Sequence, residues 1–365
     1  MKYKIPQLIP FIDNDELENS KKVIENKWLT EGPFSEEFLE MIKKFTGAKY
    51  AVLANNGTLA LFLSLKAMGI DKDDEVIVSD FTFISSGSSI VFSGGIPVFA
   101  DVDRGNLNID IEEIEKKITD KTKAIMPVHI YGQAANMGPI IEIANRYNLK
   151  IIEDAAQGFG VYYERQHVGT LGNIGIISFF ADKTITTGEG AVILTNDEET
   201  FIKLKCLRNH GRLNSGTFEH PFLGMNFRMT DLQSAIGVAQ IKKFEKINRI
   251  KSRNYQLYKE KLINIKEIEF IKEEKYSNLI PFRMNILVME LENLITHLEE
   301  NGIQTRKFFF PLHRQPCFNY LGYKSAEFPI SNELNMKGLC LPIYPDLKVE
   351  EIEYIADKIK SFYKS

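Results

Sequence analysis

One lysine stands in a setting that could make it a nucleophile. Lys183 lies in the segment SFFADKTITTGEGA, residues 178–191, where an apolar run ends in a polar turn with glycines and a second apolar run follows. A lysine amine attacks a carbonyl carbon only when it is deprotonated, and partial burial beside cationic or apolar groups lowers its pKa. The alternative is a solvated loop lysine, the usual state of lysines in proteins.

An acid follows another apolar run. The segment KIIEDAAQ, residues 150–157, puts Asp154 at the expected carboxyl end of a strand, where α/β folds place ligand-binding groups. A carboxylate there could keep a pyridine nitrogen protonated, and that charge makes pyridoxal phosphate an electron sink. The alternative is that Asp154 is the N-cap of a helix, because aspartate is favoured at that position.

Two further segments could hold parts of a flat, phosphorylated ligand. Residues 53–61, LANNGTLAL, run from an apolar stretch through a glycine turn into a helical pattern. Free amides at such a helix start favour a phosphate, and Thr58 adds a hydroxyl donor, although any strand-to-helix turn can contain Gly-Thr. Phe81 and Phe83 follow another predicted strand, so one of them could cover a ring, although core packing is the commoner fate of phenylalanine.

The surrounding elements must bring these segments together. From about residue 49 to 195, short apolar runs alternate with helical patterns, which predicts a mostly parallel sheet covered by helices. Seven strands are predicted, at residues 50–54, 75–78, 97–100, 123–128, 150–153, 175–180 and 191–194. Helices are predicted at residues 58–68, 111–118 and 137–146, with Gly69 and Asn148 near the stops.

The pattern changes after Met229. A long helical run from residue 231 to about 262 predicts a connection between domains, and a strand at 284–289 with helices at 291–301 and 349–362 predicts a smaller α+β domain. We therefore expect a large α/β domain over residues 1–240, including an N-terminal arm. A linking helix and a small C-terminal domain would occupy residues 241–365.

Composition excludes several classes of function. With 45 basic and 49 acidic residues, the net charge of -4 argues against nucleic acid as a partner. The three cysteines lack C-x-x-C spacing and no two of the six histidines share a metal spacing, so neither a disulfide framework nor a metal site is expected. Because no signal-peptide core or membrane-length apolar stretch is present, we expect a cytoplasmic protein without a membrane partner.

Taken in order, these segments resemble the DegT/StrS family of sugar-nucleotide aminotransferases, especially its perosamine-synthase-like members. The resemblance implies the type I, aspartate aminotransferase-like fold of pyridoxal-phosphate-dependent transferases. It spans almost the whole chain through segments that begin at residues 28 (WLTEG), 56 (NGT), 81 (FTF), 128 (VHIYGQ), 153 (EDAAQ), 178 (SFFADKTITTGEGA), 208 (RNHG), 224 (GMNFRM), 310 (FPLH) and 341 (LP).

The resemblance implies a role for each matching residue. Lys183 would form the Schiff base with the cofactor and shuttle the proton, and Asp154 would pair with the ring nitrogen. The other implied cofactor contacts are Gly57, Thr58, Leu59 and Ser178 for the phosphate, Phe83 for ring stacking, Gln157 for the ring hydroxyl, and Asn226 or Arg228 from a partner subunit. The implied substrate-binding residues are His313, Thr30 and Glu31.

The implied reaction moves an amino group from an amino acid, expected to be L-glutamate, to a nucleotide-linked keto sugar. The cofactor would alternate between pyridoxal and pyridoxamine phosphate, and the acceptor would be a 4-keto-6-deoxy sugar used in amino-sugar or lipopolysaccharide O-antigen biosynthesis. The resemblance also implies a homodimer with shared active sites, in which Arg228 could instead be a plain surface charge. The nucleotide, the sugar, the aminated carbon and the donor stay open.

Two other classes of function are considered. Relatives that remove a sugar hydroxyl carry histidine at the lysine position, so Lys183 favours transamination over such a lyase. A non-catalytic regulator that binds an amino sugar would need no proton shuttle, so the joint presence of Lys183, Asp154 and the phosphate segment disfavours it. An α/β protein with accidental matches is the remaining alternative, because a fold alone does not fix a function.

Overall fold

The structure is a computed structural model that describes residues 3–214, 216 and 218–364. Its first nine strands are β1 (Tyr50–Ala54), β2 (Glu75–Ser79), β3 (Ile96–Ala100), β4 (Thr122–Met126), β5 (Lys150–Asp154), β6 (Tyr162–Tyr163), β7 (Gln166–His167), β8 (Ile174–Ser178) and β9 (Ala191–Thr195). Seven of them form one sheet in the order β1-β9-β8-β5-β4-β2-β3, while β6 and β7 pair with each other. All neighbours in the large sheet are parallel except β9, which is antiparallel to β1 and β8. The predicted mostly parallel seven-stranded sheet is confirmed.

Helices cover both faces of this sheet. They are α1 (Asn14–Glu25), α2 (Pro33–Thr46), α3 (Gly57–Ala67), α4 (Ile84–Phe92), α5 (Ile111–Lys116), α6 (Met137–Tyr147), α7 (Glu198–Leu207) and α8 (Asp231–Leu262). The predicted helix ends near Gly69 and Asn148 are confirmed. Gly69 has φ 82° and Asn148 has φ 54°, left-handed values that end a helix. Helices α1, α2, α4 and α7 have no counterpart in the prediction; α4 is rich in serine and lacks a clear apolar stripe.

Helix α8 runs for 32 residues and begins at a capping box formed by Thr230 and Gln233. Helices α1 and α2 pack against it from the N-terminal part of the chain, and the last helix packs against it from the C-terminal part. The long helical run predicted from residue 231 is confirmed. The predicted domain boundary at residue 240 falls inside this helix and stays a prediction.

A second, smaller sheet follows α8. Its elements are β10 (Ile268–Phe270), β11 (Met284–Val288), β12 (Arg306–Lys307), β13 (Gly338–Leu341) and the helices α9 (Leu291–Glu300), α10 (Pro329–Lys337) and α11 (Val349–Lys364). The strands are antiparallel in the order β10-β11-β13-β12. The predicted strand and two helices of this region are confirmed, whereas β10, β12, β13 and α10 are additional.

The N-terminal segment is tied to the C-terminal region. Ile5 forms a parallel bridge with Ile303, and the backbone N–H of Gln7 donates to the side chain of Gln304 at 3.0 Å. Residues 8 and 10 consequently line the cleft between the two sheets. Within the described ranges, no helix has the length and apolar character needed to cross a membrane.

Candidate active site

A cavity of about 690 Å³ lies where the carboxyl ends of β5 and β8 and the start of α3 meet the second sheet. Parallel strands bring their carboxyl ends to one sheet edge, which is why segments far apart in sequence converge here. Eight of the predicted site residues line this cavity, namely Gly57, Thr58, Leu59, Phe83, Asp154, Gln157, Ser178 and Lys183. The structure therefore brings together the predicted lysine, acid and phosphate segment.

Lys183 sits in the turn after β8, where its backbone N–H donates to the carbonyl of Phe180 at 2.9 Å. Its side chain is 16% exposed, and its Nζ lies 3.9 Å from Oδ1 of Asp182 and 4.8 Å from the centre of the Phe282 ring. Burial lowers the pKa of Lys183, and the nearby Arg283 lowers it further, while Asp182 opposes both effects. This amine is thus biased toward the neutral, nucleophilic form.

Asp154 ends β5 and is buried, with 5% of its surface exposed. Its Oδ2 accepts a hydrogen bond from Oγ of Ser86 at 2.7 Å, and its Oδ1 accepts one from the backbone N–H of Ala156 at 3.1 Å. No helix begins between residues 154 and 162, so Asp154 is not a helix N-cap. Each oxygen keeps a further lone pair that a cationic ring N–H could use.

The start of α3 forms a cradle for an anion. Asn56 caps the helix by accepting the N–H of Leu59 at 2.9 Å, and the N–H groups of Gly57 and Thr58, in the first turn, have no acceptor within the helix. A Cβ atom on Gly57 would lie only 3.1 Å from Cβ of Ser178. Glycine is therefore the residue that lets the helix start approach the end of β8.

Hydroxyl groups extend this cradle. Oγ1 of Thr58 and Oγ of Ser85 lie 2.7 Å apart, and Ser178 accepts the backbone N–H of Phe180 at 3.3 Å through its own Oγ. Amide and hydroxyl donors at the positive end of a helix dipole suit a phosphate group. The donor set thus fits the phosphate of pyridoxal phosphate, with Asp154 and Lys183 lining the same cavity.

Aromatic side chains form one wall of the cavity. Phe83 stands at the N-cap position of α4, lines the cavity and is 56% exposed, so its ring is open to a ligand. Phe309 lies 6.3 Å from Phe83 and stacks on Tyr131 at 5.3 Å with nearly parallel rings. Gln157 accepts the backbone N–H of Tyr131 at 2.7 Å, so its amide group is fixed beside the same wall.

Two cavity-lining arginines were missed by the sequence analysis. Oδ2 of Asp182 accepts hydrogen bonds from Arg283 at 2.5 Å and from Arg306 at 3.3 Å. Asp182 lies within the segment of residues 178–191 that contains Lys183, so its place near the cavity could have been predicted from sequence. Arg283 immediately precedes β11 and Arg306 lies in β12, both more than 100 positions from Asp182, and no local pattern marks them.

His313 does not line the cavity of this chain. Its backbone N–H and its Nδ1 both contact the carboxylate of Asp80 at 2.7 Å, and its ring stacks on Phe328 at 4.4 Å. Burial raises the pKa of Asp80, although the contacts with His313 oppose that change. In this arrangement His313 fastens the loop before α4 to the segment after β12, and its role in substrate binding stays a prediction.

The remaining four predicted residues lie outside the cavity of this chain. Thr30 is exposed, and Glu31 forms an ion pair with Arg208 at 2.5 Å. Asn226 is exposed and accepts the backbone N–H of Arg228, whose guanidinium contacts the side chain of Asn209. The structure of one chain therefore leaves the expected contacts of these residues untested.

Comparison with known proteins agrees with the geometry. The DegT/DnrJ/EryC1/StrS aminotransferase family matches residues 10–360. The chain is 36% identical to the GDP-perosamine synthase of Escherichia coli O157:H7, covering 100% of this chain and 99% of the relative. It is 34% identical to the GDP-perosamine synthase of Vibrio cholerae, covering 98% and 99%. A relative from Acidithiobacillus ferrooxidans, 34% identical with 86% and 85% covered, is named UDP-N-acetyl-3-dehydro-alpha-D-glucosamine 3-aminotransferase.

Solved structures share the fold over nearly the whole chain. DesV of S. venezuelae, solved in complex with a ketimine intermediate, is 27% identical with a TM-score of 0.93, and 99% of each chain is covered. A chain described as a sugar aminotransferase of Streptococcus pneumoniae, solved with pyridoxal phosphate, is 23% identical with a TM-score of 0.94 and 99% of each chain covered. The protein therefore belongs to the DegT/DnrJ/EryC1/StrS family of sugar aminotransferases, whose cofactor is pyridoxal phosphate.

Proposed function

We propose that this enzyme transfers the amino group of L-glutamate to a nucleotide-linked 4-keto-6-deoxy sugar. The observation that carries the proposal is the convergence of Lys183, Asp154 and the start of α3 on one cavity. These are the three parts that amino transfer on pyridoxal phosphate requires: a lysine amine, an acid for the ring nitrogen and a phosphate site. Both substrates would use this cavity in turn.

When bound, pyridoxal phosphate supplies an electron sink that stabilises negative charge on the substrate carbon. The residues of the chain then hold it and move protons. The carboxylate of Asp154 keeps a proton on the ring nitrogen, while the cradle at Gly57 and Thr58 fixes the phosphate. Nζ of Lys183 is the base that takes the proton from the substrate carbon and returns it one bond further along.

The environment of Lys183 suits this proton transfer. A base works best when its pKa is near the working pH, and burial together with Arg283 moves the pKa of Lys183 down from that of free lysine. The turn that holds the lysine is fixed by two strands, since β9 returns antiparallel beside β8. Lys183 lies in the connection between these strands, which is joined near its ends by backbone hydrogen bonds from Phe179 to Gly190 and from Thr187 to Phe179.

The choice of acceptor rests on the relatives. Two of them are named GDP-perosamine synthases, which supports a nucleotide-linked sugar as the acceptor. The relative named as a 3-aminotransferase shows that the aminated carbon differs between members. We choose the C4 position because the resemblance of the whole chain is to the perosamine-synthase-like members. We further propose a cytoplasmic enzyme of amino-sugar biosynthesis for surface polysaccharides such as lipopolysaccharide O-antigen.

We also propose a homodimer with shared active sites. The segment before Asn226 carries large apolar side chains in water, with Leu223 99% and Phe218 92% exposed, and Trp28 is 58% exposed. Exposed apolar side chains of this size mark interaction surfaces. In a two-fold dimer each subunit would lend Asn226 or Arg228 to the phosphate site of its neighbour.

The test is a substrate panel. Purified enzyme is given pyridoxal phosphate, L-glutamate and GDP-, UDP- or dTDP-linked keto sugars that differ in the position of the keto group, and the products are followed by mass. The proposal expects 2-oxoglutarate and an aminated sugar nucleotide in equal amounts, with the 4-keto sugars preferred. A deoxygenated product, or no reaction with any keto sugar, would reject it. Sizing and mixed-subunit complementation test the dimer.

A further inference from the structure

The carboxylate of Asp182 joins the lysine segment to the second sheet. Its Oδ2 accepts from both Arg283 and Arg306, whereas its Oδ1 is buried without a hydrogen-bond partner among the described residues. That second oxygen lies 3.9 Å from Nζ of Lys183. One carboxylate thus contacts two guanidinium groups and lies near the amine of Lys183 on the wall of the cavity.

The two arginines are held very differently. Arg283 is 3% exposed, donates to the side chain of Gln7 at 2.6 Å and lies over the ring of Phe282 at 4.6 Å. Arg306 is 57% exposed and donates to Asp182 across 3.3 Å from the short edge strand β12. Arg283 is therefore part of the wall, while the guanidinium of Arg306 keeps N–H donors for another anion.

Positive charge is in excess at this end of the cavity. Lys251 lies behind Arg283, is 3% exposed, and donates to the carbonyl of Phe282 at 3.4 Å. Burial, followed by the charge of Arg283, lowers the pKa of Lys251 to about 7, while Asp182 opposes the change. Of the other acids that line the cavity, Asp154 is engaged by Ser86 and Ala156, and Glu189 is exposed.

We propose that Arg306 binds the α-carboxylate of the donor amino acid, with Asp182 holding the guanidinium beside Lys183. The inference rests on the proposed function and deepens it by naming the residue that recognises the donor. A planar guanidinium pairs with a carboxylate through two parallel hydrogen bonds, which would also fix the direction of the substrate carbon. Arg306 can reach that carboxylate without disturbing Arg283, which retains its bonds to Asp182 and Gln7.

Distance favours the donor over the sugar nucleotide. Oδ2 of Asp182 lies 3.3 Å from the guanidinium of Arg306 and Oδ1 lies 3.9 Å from Nζ of Lys183, so the proposed anion site is close to the amine. In an amino acid the α-carboxylate is attached directly to the carbon that bears the amine. In a sugar nucleotide with a C4 keto group, the sugar ring lies between the diphosphate and the reacting carbon.

The experiment measures binding of a donor analogue that cannot react. L-α-methylglutamate has no α-hydrogen, and its dissociation constant with the pyridoxal-phosphate-loaded enzyme is measured by calorimetry and by the absorbance of the bound cofactor. We expect Arg306→Ala to raise that constant by about 10- to 100-fold, the range for losing a charge-assisted pair. The matched control is Arg146→Ala, because Arg146 is 58% exposed, pairs with the acid Glu115 and does not line the cavity. It should change binding by less than about threefold.

Two further ligands, 4-aminobutyrate and the sugar nucleotide, identify the chemical group that Arg306 binds. 4-Aminobutyrate keeps the distal carboxylate of glutamate but lacks the α-carboxylate, so Arg306→Ala should leave its affinity unchanged. An equal loss of affinity for α-methylglutamate and for 4-aminobutyrate would overturn the assignment to the α-carboxylate. A raised KM for the sugar nucleotide, with donor binding intact, would assign Arg306 to the diphosphate and overturn the proposal as well.

The outcomes also separate this inference from the proposed function. If wild-type enzyme aminates a keto sugar and the Arg306→Ala variant binds α-methylglutamate as tightly as wild type, the inference is wrong and the function stands. If wild-type enzyme neither binds the analogue nor converts glutamate to 2-oxoglutarate, both are wrong. Because Arg306 is mostly exposed, the variant should keep the melting temperature of the wild type, which thermal unfolding verifies.

Discussion

Two neighbouring acids on β5, Glu153 and Asp154, face opposite sides of the large sheet and have opposite surroundings. Glu153 is fully buried and accepts backbone N–H groups from Gly169, Leu171 and Gly172 at 2.6–2.7 Å, together with a bond from His129 at 2.9 Å. Among the described residues, the carboxylate of Asp154 accepts two hydrogen bonds, and it borders the cavity. The first carboxylate is saturated by the protein, whereas the second has lone pairs left for a ligand.

Strand β5 therefore contributes a stabilising carboxylate on one face and a cavity-lining carboxylate on the other. Successive side chains of a strand alternate between faces, so adjacent residues can belong to unrelated environments. The backbone N–H of Ala135 donates to Nδ1 of His129, so Nε2 carries the proton and donates to Glu153. We therefore expect changes on the cavity side to affect turnover and changes on the Glu153 side to affect the free energy of unfolding.

The largest effect is expected at Lys183. Lys183→Ala should lower turnover at least about 10³-fold, because the covalent link and the proton shuttle are both lost. Borohydride reduction of wild-type enzyme followed by peptide mapping should find the pyridoxyl group on residue 183. Lys243→Met is the control, since Lys243 is also buried but its amine pairs with Glu16 at 2.6 Å. A label at any other lysine would contradict the assignment.

Asp154→Asn should lower turnover by about 10²- to 10³-fold, because a neutral amide stabilises the ring cation less well than a carboxylate. Steady-state kinetics with glutamate measures this loss, and chemical denaturation should show a free energy of unfolding close to that of the wild type. Near-normal turnover in a folded Asp154→Asn variant would remove the distinction between the two acids.

Glu153→Gln should give the opposite result. The amide side chain keeps the shape but has one acceptor oxygen for the four groups that now donate to the carboxylate, so we expect a loss of about 3 kcal/mol in the free energy of unfolding. Denaturation with urea measures the loss, and turnover per folded molecule should stay within about threefold of wild type. A strong fall in turnover without loss of stability would place Glu153 in the catalytic machinery.

The smallest expected effect is on the pH dependence of the free energy of unfolding, and it comes from His167 on the Glu153 side of the sheet. Its Nε2 accepts the N–H of Gly160 at 2.9 Å, and burial lowers its pKa to about 4. The folded pKa lies below the unfolded value of 6.5, so the unfolded chain binds more protons between these limits. Stability should therefore fall as the pH falls from 6.5 toward 4, by about 2 kcal/mol at pH 5 from this residue. Urea titrations at pH 7 and pH 5 measure it, and His167→Gln should lose less than wild type between them.

The parts of the site that could be predicted from sequence belong to the large sheet. Lys183, Asp154 and Gly57 each follow an apolar run whose length and flanking turns mark a strand, and the parallel arrangement makes their convergence a consequence of topology. Sequence alone left Asp154 open between a cofactor contact and a helix cap. The structure excludes the cap because no helix follows β5.

The parts that could not be predicted depend on contacts between distant segments. Arg283 and Arg306 reach the cavity only through the packing of the second sheet, and single arginines carry no periodic pattern. Strand β12 has two residues and β10 has three, too few for alternation to appear. His313 shows the converse, since a family landmark in sequence is a buried partner of Asp80 in this chain.

The bridge between Ile5 and Ile303 has a consequence for folding during synthesis. At about 5–20 residues per second, the ribosome needs roughly 15 to 60 s to make the chain between these two partners. Gln7 contacts Arg283, which is made almost as late, so the segment around Ile5 and Gln7 is made long before these partners. The large sheet can form from residues 50–195 during that interval, and the cavity closes last. The contacts that tie Ile5 and Gln7 to the C-terminal region therefore form late, after the strands of the large sheet have been made.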